Sequence, residues 1–220
     1  MPTRTCAAVL IFAFTGCNAH EMTASWNEMA GDPYPLDSVS REASAGGESQ
    51  CADLVYVSYT GQRVPYGPPA RVAAAFVPRL EAFDTVVAEV ALQHYGRAPA
   101  KLRHFGALAC RRVRGSHSRL SEHALGNAID ISGFGFTRLK RTEVPPPDLP
   151  AELHKAFEVS IEKHWEGGAS PAEALHRRFL HALVERVQEE DVFRGVIGPG
   201  REGHANHLHF DQSPWGYALF

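Results

Sequence analysis

The chain is short of several things, and each shortage excludes something. No apolar run reaches the roughly 20 residues that a permanent membrane-spanning helix needs. No charge of one sign dominates: 22 Lys and Arg face 25 Asp and Glu, a formal net charge of −3. That balance excludes a general polyanion binder, and nucleic acid is not an expected partner. Cysteine is scarce, with four in 220 residues, and no two lie at the short spacing of a structural zinc pair. No internal repeat is visible. Histidine, by contrast, is plentiful at 12, so only the spacing of these residues can argue for a site.

Residues 1–17 read as an export signal, with Arg4 as the positive start and Ala7-Ala8-Val9-Leu10-Ile11-Phe12-Ala13-Phe14 as the apolar core. The run closes on Phe14-Thr15-Gly16-Cys17, which resembles a bacterial lipobox, although Phe14 is uncommon at its place in that motif. Cys17 would then carry a lipid anchor, the only expected membrane contact; ordinary cleavage near Gly16 is the alternative. Either reading exports the protein, with a periplasmic location expected. Residues 18–50 are polar and broken by Gly31-Asp32-Pro33 and Gly46-Gly47, which reads as a flexible tether. Residues 51–220 are left as one domain. Outside the cytoplasm Cys51 and Cys110 can pair, closing a loop worth about 4 kcal/mol in the chain-entropy model. Two buried free thiols are the alternative.

The expected fold is α+β, a small antiparallel sheet packed with helices. An edge strand is expected over 54–59. Leu80, Phe83, Val87, Val90 and Ala91 recur at helical steps, with Pro78 in the first turn and Gly96 at the end. Residues 102–113 read as a strand, and a second strand starts near Asn127 and runs to Ile131. After Val144-Pro145-Pro146-Pro147 a short helix is expected around 151–156. Phe157, Val159 and Ile161 then alternate with polar residues as in a half-buried strand. Ser170-Pro171-Ala172-Glu173 is a capping box opening a helix with Leu175, Phe179, Leu183 and Val187 on one stripe. His207-Leu208-His209-Phe210-Asp211 reads as the last strand.

Two segments carry chemistry, Ser121 to Asp130 and His204 to His209. They offer an imidazole, a carboxylate and a paired-histidine strand, a plausible ligand set for zinc. On a strand His207 and His209 share a face while Leu208 and Phe210 enter the core. His123 and Asp130 are an odd number of positions apart and would face opposite ways on one strand. Gly126-Asn127 supplies the break that lets them converge. Three protein ligands leave a fourth tetrahedral position open, as in catalytic rather than structural sites.

The form Ser-x-His-x-x-Gly-x-Ala-x-Asp, followed by His-x-His, resembles the zinc D-Ala-D-Ala peptidases and their murein endopeptidase and hedgehog-type relatives. Residues 119–134 and the Val196-Ile197-Gly198-Pro199-Gly200 segment with His204 to Asp211 resemble the bacterial extensin-like C-terminal family. The resemblance covers roughly residues 51–213. It implies His123, Asp130 and His209 as ligands of Zn2+, His207 as a non-ligand histidine that orients water or stabilises charge, and His204 as its support. It also implies an arginine for a substrate carboxylate or oxyanion, Arg111 at a strand end, with Arg112 or Arg114 as alternatives. Ser121 fits a turn better than a nucleophile. Glu122 and Glu202 lie near the motifs without an assigned role. The resemblance implies hydrolysis of D-Ala-type peptide bonds in peptidoglycan, or a non-catalytic module that binds the cell wall. The sequence departs from the family in having Glu189-Glu190-Asp191-Val192-Phe193 where a further cysteine is common, and in a longer 141–153 region.

Overall fold

The computed structural model describes residues 33–43 and 50–220; the expected export signal, Cys17 and most of the tether lie outside them. The chain divides into a unit of residues 1–34 and a second, Pro35–Phe220, that holds all the described strands and helices. None of these helices is long and apolar enough to cross a membrane.

Within the second unit, β1 (Tyr56–Tyr59) and β2 (Ala70–Ala73) form a two-stranded antiparallel sheet of their own. The main sheet holds β3 (Lys101–Gly106), β4 (Ala128–Phe136), β5 (Phe157–Ser160), β6 (Gly195–Ile197), β7 (Leu208–Asp211) and β8 (Tyr217–Leu219). Its order is β3-β4-β7-β6-β8, with β5 paired to the C-terminal half of β4. Every pairing is antiparallel except β6 with β8, so the expected all-antiparallel sheet is corrected at that edge.

Two long helices cover one face. The first, α1 (Val77–Tyr95), has Pro78 in its first turn and stops at Gly96, whose φ of 69° is left-handed and open to glycine without strain. A four-residue α2 (Ile161–His164) follows β5, and α3 (Pro171–Glu189) comes next. Ser170 Oγ accepts the Glu173 N–H at 3.2 Å, while the Glu173 carboxylate takes the Ala169 N–H at 2.9 Å rather than that of Ser170. Leu80, Phe83, Val87, Phe179, Leu183 and Val187 are buried from these helices, and Ile129, Ile131, Phe134, Leu208 and Phe210 from the sheet. Burial of each such side chain is worth about 1.5–3 kcal/mol. The opposite sheet face carries the candidate site.

Several expected boundaries move. The strand expected over 102–113 ends at Gly106, and Arg111 to Ser121 instead fold back on themselves through the Val113–Arg119 and Ser121–Arg111 backbone bonds. β4 continues to Phe136, five residues past the expected end. β5 stops at Ser160 because Ile161 opens α2, and the helix expected around 151–156 is a 3-10 turn, Ala151–His154. The last strand begins at Leu208, leaving His207 just before it. Residues expected as tether also belong to the fold. Leu36 and Arg41 are buried, and the Arg41 guanidinium pairs with buried Glu122 at 3.0 Å. A carboxylate so placed would be costly without its partner, so the folded unit starts near Pro35 rather than at Cys51. Cys51 and Cys110 form a disulfide.

Candidate metal centre

Strand register builds half of the site. β4 and β7 pair so that Asp130 lies directly opposite His209, while the neighbouring pairs Ile129–Phe210 and Ile131–Leu208 point into the core. The alternation of a strand therefore puts a carboxylate and an imidazole side by side on the other face. His123 comes from a short 3-10 turn, Glu122–Leu125, whose first residues are held by Ser121 Oγ accepting the His123 N–H. Gly126 ends that turn at φ 62°, and a Cβ there would meet the Ala73 backbone nitrogen at 2.7 Å. The break expected at Gly126-Asn127 is thus where the chain turns into β4.

The three side chains converge. His123 Nε2 lies 3.2 Å from Asp130 Oδ1 and 3.2 Å from His209 Nδ1, and His209 Nδ1 lies 2.9 Å from the same Asp130 oxygen. Their outer atoms fix which lone pairs point inward. His123 Nδ1 sits 2.8 Å from the Ala107 carbonyl, which can only accept, so that nitrogen carries the proton. His209 Nε2 sits 2.9 Å from Asp211 Oδ2 and is protonated for the same reason. Both inner nitrogens and the Asp130 oxygen then direct lone pairs into one small space, which requires a proton or a cation between them. A proton can meet the need. Burial alone would lower the His209 pKa, but the bonds to Asp130 and Asp211 outweigh it and raise it to about 9. Burial likewise disfavours ionised Asp130, yet His123 and His209 hold its carboxyl far below the usual carboxylate range. A metal ion could meet the same need, since the three residues offer ligand atoms all within 4.8 Å of one another. Four ligands at bonds of about 2.0–2.1 Å stand roughly 3.3 Å apart in a tetrahedron, close to the spacing found here.

The remaining expected residues sit around this triangle. His207 Nε2 is 3.6 Å from Asp130 Oδ1, and its Nδ1 donates to Asn206 Oδ1 at 2.9 Å, leaving the Nε2 lone pair on the inner side. Burial lowers its pKa, and the neighbouring histidines add to that against the pull of Asp130, so the ring is neutral near pH 7. The His204 ring is 4.9 Å from that of His207, and its pKa is also lowered by burial. The cleft over the site has a volume of about 890 Å³, and Arg111, Arg112, Arg114 and Arg119 all line it. Arg111 is exposed and follows the disulfide rather than ending a strand. Glu202 also lines the cleft. Glu122 is occupied by Arg41 and by the Asn127 side-chain amide at 2.7 Å.

Four residues around the site were not expected. Asp211 reaches the outer nitrogen of His209, the Tyr217 hydroxyl donates to Asp211, Arg41 holds Glu122, and the exposed Phe105 ring meets His207 edge-to-face at 5.8 Å. Asp211 had a signal in the sequence: two positions after His209, it shares that residue's face of the strand. Arg41 and Tyr217 had none, because only tertiary structure brings them near.

Compared with known families, residues 35–163 match the family described as Extensin-like protein C-terminus. The matched stretch contains His123 and Asp130 and ends before His204, His207 and His209. No curated protein and no solved structure matches the chain.

Proposed function

The chain belongs to the extensin-like protein C-terminus family, and from that premise we propose that it is a zinc-dependent hydrolase of D-Ala-type peptide bonds in peptidoglycan, acting outside the cytoplasm as a carboxypeptidase or endopeptidase. The observation that carries the reading is the triangle of His123 Nε2, Asp130 Oδ1 and His209 Nδ1 at the base of an arginine-lined cleft. Those three residues would hold the ion. When bound, zinc supplies a Lewis acid that polarises a carbonyl and brings the pKa of an attached water toward about 7.

The rest of the work falls to the chain's own groups. Neutral His207 offers its Nε2 lone pair to a proton beside Asp130, and Asn206 and Phe105 hold its ring in place. His204 packs on it from the cleft side. Arg111 or its neighbours Arg112 and Arg114 would bind a carboxylate of the peptide stem or a developing oxyanion. Export by the 1–17 signal, with a lipid on Cys17, would place the cleft near the cell wall.

A second reading is a zinc-containing module that binds cell-wall peptide without cutting it. It is favoured by Glu122, the carboxylate nearest the motif, being consumed by Arg41 and Asn127 and so unable to serve as a base. Mass spectrometry of muropeptides incubated with zinc-loaded protein separates the two. Cleavage that His207→Ala abolishes while zinc binding persists supports the hydrolase. Intact fragments retained by zinc-loaded wild type support the binding module.

A further inference from the structure

The outer side of His209 carries an arrangement that the ligand triangle does not require. Asp211 is almost fully buried, at 1% exposure, and both of its oxygens are taken. Oδ2 accepts from His209 Nε2–H and from the Tyr217 hydroxyl, and Oδ1 accepts the Ser213 N–H at 3.0 Å. The Ser213 N–H and the Tyr217 hydroxyl already donate to this carboxyl, so it meets the His209 ring as an acceptor. In the neutral ring that a metal ligand requires, the proton of His209 is therefore confined to Nε2 and the lone pair to Nδ1, the atom that faces Asp130.

Tyr217 reaches Asp211 across a strand. Gly195 on β6 pairs with Asp211 of β7 on one side and with Tyr217 of β8 on the other. A Cβ at Gly195 would lie 2.1 Å from Asp211 Oδ1 and 2.7 Å from the Tyr217 ring. The missing side chain is what allows the hydroxyl to cross the row and meet the carboxylate.

We propose that Asp211, Tyr217 and the side-chain gap at Gly195 form a positioning unit that holds His209 in the tautomer and orientation of a metal ligand. The C-terminal strand β8 is thereby part of the metal centre, with Tyr217 acting through Asp211 and His209. The inference rests on the metal reading of the cluster. Carboxylates that orient metal-bound histidines in this way commonly change metal affinity by about 10–100-fold when replaced.

The test uses the full chain and the metal alone. Zinc affinity is measured by competition with a chromophoric chelator, and the visible spectrum of the cobalt(II)-loaded protein is recorded for wild type, D211N, Y217F and G195A. D211N should weaken zinc binding by about 10–100-fold. Y217F and G195A should each weaken it by several-fold, and all three should shift the cobalt bands. Y217F removes one oxygen atom and is the variant most certain to keep the fold. Variants that lower the melting temperature but keep wild-type zinc affinity and cobalt spectrum show a merely structural role and overturn the proposal. A wild-type chain that takes up neither ion overturns the metal reading itself, and the positioning unit with it.

Discussion

Two buried histidine clusters in this molecule behave in opposite ways. On the helical side His176 of α3 hydrogen-bonds the Tyr95 hydroxyl at 2.9 Å, stacks on Phe157 and lies 4.7 Å, ring to ring, from His164 of α2. Its partners are a phenol, a phenyl ring and another imidazole, so burial prevails, with His164 adding to it, and the His176 pKa falls to about 4. On the strand side His209 is also buried, but it stands between Asp130 and Asp211 and its pKa rises to about 9. Burial penalises the charge in both places; only the carboxylates reverse the outcome. The comparison teaches that histidine content does not locate a cation site. Convergent ligand atoms backed by buried negative charge mark a candidate, and only the second of these clusters has them.

The comparison can be broken most severely at Asp130. Asp130→Asn keeps the shape of the triangle and removes its charge, and it should abolish zinc uptake, read as metal content after dialysis. Full retention of zinc would mean that the carboxylate is not what distinguishes the two clusters.

A smaller effect is expected on acidification. The folded pKa of His176 lies below the ordinary value of about 6.5, so the unfolded chain binds more protons between those limits. The stability tied to this group is complete above pH 6.5 and is lost as pH falls toward 4. His176→Phe should flatten the fall in melting temperature over that range without altering zinc binding at neutral pH. Equal slopes in the two proteins would remove His176 as a cause.

The smallest change tests whether the two regions are independent. Ser170→Ala removes the cap of α3, at a cost of about 1 kcal/mol. Calorimetry should show a melting temperature lower by roughly 2–4 °C. Zinc affinity should stay as in wild type, and a parallel loss of affinity would show that helix and site are coupled.

How much of this was legible in the sequence depended on whether the cause was local. The spacing from Leu80 to Ala91, with Pro78 and Gly96, marks α1 because helix period and caps act within a few residues. That His123, Asp130 and His209 converge was legible, since the turn at Gly126 and the parity of β7 are local too. The end of β4 was not. Gly133 and Gly135 weaken any strand signal, but a Cβ at Gly133 would meet the Val159 carbonyl at 2.3 Å, so the glycine is there for the close approach of β5. The strand expected over 102–113 was overextended because the disulfide and the Arg111–Ser121 turn redirect the chain after Gly106. Arg41 looked like part of a polar tether because its partner Glu122 lies 81 positions away. Tyr217 is hidden for the same reason, its role passing through Gly195 to Asp211.

Anomalous scattering at the zinc edge, from crystals of the zinc-loaded chain, tests the account most directly. One strong peak is predicted, at about 2.0–2.2 Å from His123 Nε2, Asp130 Oδ1 and His209 Nδ1. A peak at His164 and His176 instead, or none at the triangle, would contradict it.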